Sequence, residues 1–163
     1  MPVENDPYSV LFVCTGNTCR SPMAEAYCRD LCLKGGLAVE AASAGLSAID
    51  GAPISAASAK ALATAGVAAD AFRSRVLTDA LIDDADLIVT MTRGHREQLL
   101  WVAVDATEKA STLMSFLGSN ADVYDPFGGS EKEYQQCFDG MEPAVKALVE
   151  YLTRELKTSN PEP

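Results

Sequence analysis

Cys14 and Arg20 bracket the five residues Thr15-Gly16-Asn17-Thr18-Cys19 within the stretch VLFVCTGNTCRSPMAEAY, which runs from Val10 to Tyr27. A thiol, a guanidinium and a short polar turn point to one chemistry, attack by sulfur on a group held as an anion. A turn of that length lets backbone N–H groups converge on a tetrahedral oxyanion. Gly16 and Asn17 both tolerate the left-handed conformations that such a curl needs. A helix starting just after it adds further donors and a positive dipole end. Arg20 closes the ring with a planar fork that can grip two oxygens at once. The resulting field favours the thiolate of Cys14, a nucleophile already under the bound group.

Other chemistries for the same residues fit less well. The spacing of Cys14 and Arg20 alone is a weak pattern, and its weight comes from the strand before it and the helix after it. A metal site needs three or four ligands, and the only histidine, His95, lies in a distant segment. No metal or other cofactor is expected. A Cys14–Cys19 disulfide is sterically feasible as an oxidised, protected state. As a main function it would explain neither Arg20 nor the glycine.

The elements that must position these residues alternate. Ser9 to Val13 is a β-prone apolar run that breaks into the polar turn. A helix follows, with Ser21 as its expected cap, Pro22 in its first turn, and Met23, Tyr27 and Leu31 at helical spacing until Gly35-Gly36. Leu37 to Ala42 reads as a second strand, closed by Ser43-Ala44-Gly45. A helix is predicted over Ser55 to Ala65, stopped by Gly66, and a short helical turn over Thr78 to Asp83. Ala85 to Met91 reads as a buried third strand, and TRGHREQLLWVAV as a further helix. Ser111 to Leu117 is expected to be a fourth strand, or a strand and a turn. A long helix from Glu131 to Lys157 contains Pro143, which predicts a kink or a boundary there. The tail from Thr158 to Pro163 is expected to be disordered.

Strands alternating with helices predict an α/β fold, a four-stranded parallel sheet covered on both faces, with the anion loop after the first strand. Ligands in such folds sit beyond the carboxyl ends of strands, near the switch in strand order. With 163 residues and no long linker, a single domain over 1–163 is expected, ordered over about 8–157. Hydrophobic residues at 48% and charged residues at 22% are ordinary for a globular chain. The formal net charge of −10 argues against nucleic-acid and membrane partners, which reward basic surfaces. The N-terminus lacks the pattern of a signal peptide, so a cytoplasmic location is expected. Five cysteines, an odd number in a chain read as intracellular, argue against a disulfide framework. Cys28, Cys32 and Cys137 are read as packing residues.

The stretch VCTGNTCRSPMAEA resembles the signature loop of the low-molecular-weight protein tyrosine phosphatases, and the resemblance spans nearly the whole chain. It implies a single-domain α/β phosphatase without a metal, acting through a phosphocysteine on a phosphorylated protein and releasing inorganic phosphate. Cys14 is then the nucleophile. Arg20 and the amides of Thr15, Gly16, Asn17, Thr18 and Cys19 bind the phosphoryl group. The family also implies a general acid in a late Asp-Pro pair, here Asp125 in ADVYDPFGGS. Ser43 matches a serine that supports the loop, with Ser21 and Asn17 as further supports. MTRGH is another stretch similar to the family, and its His95 is expected to be structural. Where many members carry a histidine this chain has Phe72, which puts part of the supporting network in question.

Thr18 stands where members acting on phosphotyrosine commonly carry an aliphatic residue. CTGNTCRS followed by DPFGGS looks more like the protein-arginine phosphatase branch. A hydroxyl and a nearby carboxylate suit a planar, nitrogen-rich leaving group, while Phe127 and Leu46 are expected to wall the entrance. A protein-tyrosine phosphatase is the alternative. An arsenate reductase is more remote, since it needs a shuttling cysteine pair on a later segment. A phosphate-binding module without turnover would not need Cys14, Arg20 and Asp125 together.

Overall fold

The computed structural model describes residues 6–159. Strand β1 is Tyr8–Cys14, β2 is Val39–Gly45, β3 is Leu87–Thr90 and β4 is Ala110–Thr112. They form one parallel sheet in the order β2-β1-β3-β4. The chain leaves β1 in one direction for β2 and in the other for β3, so the carboxyl end of β1 is the switch point. Cys14 is the last residue of that strand, paired in register with Gly45.

Alternation along β1 builds two cores. Val10, Phe12 and Cys14 face one side and pack with residues of helices α1 (Arg20–Lys34), α2 (Ala56–Thr64) and α5 (Glu131–Ser159). Leu11 and Val13 face the other, toward helices α3 (Asp79–Asp84) and α4 (Arg93–Val102). On the first side the rings of Tyr27 and Phe138 meet edge to face, 5.3 Å between centroids, and tie α1 to α5.

Several boundaries differ from the sequence reading. Helix α1 begins at Arg20 with Cys19 in the cap position, so Ser21 is inside the first turn and does not cap it. Pro22 is tolerated there because first-turn N–H groups have no intrahelical acceptor. β2 continues through Ser43-Ala44-Gly45, since its pairing with β1 runs as far as Cys14. β3 is shorter than expected, and β4 covers only Ala110–Thr112 before a 3-10 turn over Leu113–Leu117. Helix α5 passes through Pro143 as one element. Pro143 is exposed, so the carbonyl it leaves without a donor can turn to water. Thr158 and Ser159 belong to this helix, and the rest of the tail expected to be disordered lies outside the described residues. No helix among the described residues is long and apolar enough to cross a membrane.

Candidate active site

The chain that leaves β1 at Cys14 reaches α1 at Arg20, and the loop between them lines a cavity of about 270 Å3 together with Asp125 and Phe127. The loop's carbonyls are turned outward into its neighbours. Those of Cys14, Thr15 and Thr18 accept from the N–H groups of Leu46, Ser47 and Ser55, at 2.9 to 3.0 Å. The amides from Thr15 to Cys19 donate to no protein acceptor among the described residues. N–H groups left free on a curved loop are donors for an anion.

Asn17 holds this curl in place. It is fully buried at φ 55°, the left-handed region, while Gly16 does not use positive φ. The backbone N–H of Arg75 donates to Asn17 Oδ1 at 2.9 Å, which fixes the orientation of the amide. Nδ2 therefore donates to both Ser21 Oγ and Ser43 Oγ, each at 2.9 Å. Ser43 Oγ in turn donates to Glu25 Oε1 at 3.2 Å. Ser21, already accepting from Asn17, has its proton free for Cys14 Sγ at 2.9 Å. The Ser21 hydroxyl thus faces the sulfur of the nucleophile from beneath the loop. Donation diverges from the Asn17 amide, through Ser43 to the buried Glu25 on one side and through Ser21 to the sulfur on the other.

Glu25 and Arg75 carried no sequence signal for this role, because their partners lie in segments far away along the chain. Burial pushes the Glu25 carboxyl up, opposed by Arg29 at 3.3 Å and by the Ser43 bond. Phe72 lines a separate cavity with Glu25, Arg29 and Ser43. The chain from Asn17 to Glu25 closes without a histidine at that position, and Arg29 is the charge partner of Glu25.

Gly45 is a third residue that the sequence did not mark for this role. A Cβ there would lie 2.5 Å from Thr15 O, 2.8 Å from Ala48 Cβ and 3.0 Å from Asn17 N. The anion loop rests on this strand with no side chain between them. Gly45→Ala is expected to lower folding stability by about 1–3 kcal/mol, the range for overpacking. A denaturant titration checks this, and an unchanged midpoint would mean the loop yields at no cost.

Arg20 is 5% exposed. Its Nη1 donates to Val123 O at 3.2 Å, and Nη2 lies 3.5 Å from Asp125 Oδ2. The Asp125 side chain is 55% exposed, and its Oδ1 accepts from the Phe127 N–H at 3.1 Å. Phe127 is 80% exposed at the mouth. Thr18 is half-buried in the lining, with Oγ1 3.8 Å from Cys19 Sγ. Leu46 is not part of the lining and packs instead, half-buried, against the core on the Leu11 and Val13 side of β1. Ser21 lies beneath the loop, fully buried.

Cys19 Sγ is 3.4 Å from the Tyr134 hydroxyl. Cys28 and Cys32 are buried with their sulfurs 4.0 Å apart. Cys137 donates to Tyr124 O at 3.3 Å, and burial pushes its thiol up to about 12. His95 is buried, with Nε2 2.9 Å from Thr15 Oγ1.

A buried thiol under a ring of free amides, with an arginine closing the ring and an exposed carboxylate beside it, defines a site for transfer of a tetrahedral anionic group. Comparison with known proteins agrees. Residues 9–158 match the family model of low molecular weight phosphotyrosine protein phosphatase. A protein-arginine-phosphatase of Geobacillus stearothermophilus is 40% identical over 91% of this chain and 99% of its own. The low molecular weight protein-tyrosine phosphatase A of Mycobacterium tuberculosis is 35% identical over 96% of this chain and 99% of its own. The solved structure of the YwlE arginine phosphatase from Geobacillus stearothermophilus superposes with a TM-score of 0.87 at 37% identity, over 96% of this chain and 99% of that one. The chain belongs to the low molecular weight phosphotyrosine protein phosphatase family, and it is a cysteine-dependent phosphatase.

Proposed function

We propose that the protein removes phosphate from phosphoarginine in proteins, with Cys14 as nucleophile, Asp125 as general acid and base, and Arg20 with the loop amides as the anion site. Cys14 sulfur bonds to phosphorus as the P–N bond breaks, and Asp125 delivers its proton to the departing guanidine nitrogen. Water then attacks the phosphocysteine and gives its proton to Asp125, releasing inorganic phosphate. Through both steps the charge on the three equatorial oxygens is met by the amides from Thr15 to Arg20 and by the guanidinium.

The observation that carries the choice of substrate is the Thr18 hydroxyl in the lining of a cavity that also contains Asp125 and Phe127. A guanidine leaving group is planar and rich in N–H donors. A hydroxyl oxygen and a carboxylate can each accept from it, and Phe127 can stack on its face. The similarity to a protein-arginine-phosphatase over nearly all of both chains supports this reading. A phosphotyrosine substrate is the second reading, supported by the 35% identical tyrosine phosphatase and by an aromatic wall that suits a phenol equally.

The deciding measurement is kcat/KM on matched phosphoarginine and phosphotyrosine peptides, for wild type and Thr18→Ile. Wild type is expected to prefer phosphoarginine. Replacing the hydroxyl is expected to lower that preference by about 10- to 100-fold, the worth of one lost hydrogen bond to a charged partner. A wild type that prefers phosphotyrosine, with a swap that changes little, would refute the reading of Thr18.

A further inference from the structure

We propose that His95 is a positioning residue for this chemistry: through Thr15 it fixes the start of the anion loop to the same helical turn that carries the loop of Asp125. The inference rests on the reading of that loop as the phosphoryl site. Helix α4 starts at the Thr92 cap, whose Oγ1 accepts from the His95 N–H at 3.0 Å. From this turn His95 Nε2 reaches back to Thr15 Oγ1 at 2.9 Å. Thr15 is the first residue after the nucleophile, and its carbonyl is separately held by Ser47 N–H at 3.0 Å. With the hydroxyl and the carbonyl both tied, the residue has little freedom to rotate its amide away from an incoming anion.

The same turn holds the other loop. Arg93 donates to Asp122 Oδ1 from its backbone N–H at 2.9 Å and from Nε at 3.3 Å. Just before the turn, Met91 O accepts from Val123 N–H at 2.9 Å. Asp122 and Val123 lead directly into Asp125. One helical turn therefore sets the nucleophile's loop and the acid's loop against each other, and His95 is its link to the first of them.

The imidazole is suited to act by geometry rather than by charge. It is 6% exposed, and its Nδ1 has no hydrogen-bond partner among the described residues, so the bond to Thr15 is the ring's one polar anchor. Protonation would bury a second N–H without an acceptor, next to Arg20. Burial, and then Arg20, lower its pKa to about 4 against the opposing pull of Asp125 and Asp122. A neutral ring adds no charge that competes with Arg20 for the anion.

The test uses His95→Leu, His95→Gln, Thr15→Val and the Leu/Val double variant. His95→Leu and Thr15→Val are each expected to lower kcat/KM for a nitrophenyl phosphate by about 10- to 100-fold and to weaken inhibition by inorganic phosphate. The double variant should lose no more than either single one, because both remove the same bond. His95→Gln, whose amide can still reach Thr15, should recover most of the loss. His95 is the chain's only histidine, so its nitrogen resonances report on it alone in wild type and in Thr15→Val, whatever the folding of the Leu variant. They should show a neutral ring from pH 5 to 8 that shifts when phosphate saturates the site, and the phosphate shift should vanish in Thr15→Val.

A His95→Leu enzyme with wild-type kcat/KM and phosphate inhibition would overturn the proposal. So would a loss that only tracks the titrated fraction of folded sites, additive single effects, or resonances blind to phosphate. A wild type that binds no phosphate at all would instead overturn the reading of the site on which the proposal stands.

Discussion

Replacing Cys14 by serine is expected to abolish turnover, by at least about 10^4-fold, while leaving the protein folded and able to bind phosphate or vanadate. Loss of a covalent nucleophile that works as part of a unit falls in or beyond that range. Binding should survive because the anion is held by the loop amides and Arg20, none of which needs the sulfur. Sulfur lies 2.9 Å from Ser21 Oγ, and a serine oxygen there would keep that contact as an ordinary hydroxyl pair. An alcohol oxygen there would be a far weaker nucleophile than sulfur. The measurement pairs steady-state kinetics with calorimetric titration of vanadate. Retained turnover would remove Cys14 from the mechanism, and lost binding would mean the sulfur shapes the loop as well as attacking.

The second large effect is expected from Asp125→Asn. A positioned proton donor contributes about 10^2- to 10^4-fold, and an amide cannot supply the proton that a guanidine or phenol needs on departure. The effect should depend on the leaving group. Nitrophenolate leaves without a proton, so Cys14 should still be phosphorylated quickly by a nitrophenyl phosphate. Hydrolysis of the phosphocysteine should be slowed, because the base that takes the water's proton is gone. Rapid-mixing kinetics should therefore show a stoichiometric burst of nitrophenol followed by a slow phase, absent in wild type. Equal slowing for every leaving group without a burst would assign Asp125 to holding Arg20, 3.5 Å away, rather than to proton transfer.

Much of this site was legible in the residues because its parts are local. Cys14, the polar turn and Arg20 lie within one strand–loop–helix unit, and the apolar run before the turn marks β1 directly. The parallel sheet followed from alternating strands and helices. What the chain order hid were contacts between segments brought together only by the fold. Ser21 read as a helix cap because capping is the local rule for a serine before proline. In the structure the helix starts earlier, and the same hydroxyl faces the sulfur. Gly45 read as the end of a turn, although it is the last paired residue of β2, kept bare by the backbone of the anion loop. Nothing local in the sequence marks Glu25, because the first turns of α1 are buried on all sides beneath the loop only once the fold is formed. Leu46 illustrates the opposite error. Its place after Ser-Ala-Gly suggested the substrate entrance, and it packs half-buried against the cluster of Leu11 and Val13 instead.

The two cores that β1 divides also act as an address for the nucleophile. Val10 and Phe12 are committed to one face and Leu11 and Val13 to the other, and Cys14 takes its side from that count. Inserting or deleting one residue within the strand would send the sulfur to the opposite face, or force every neighbour to change sides. Parity along four apolar residues thus protects the reaction as strictly as any side chain in the loop. Exchanges among these residues that keep volume and count leave the sulfur where the anion arrives.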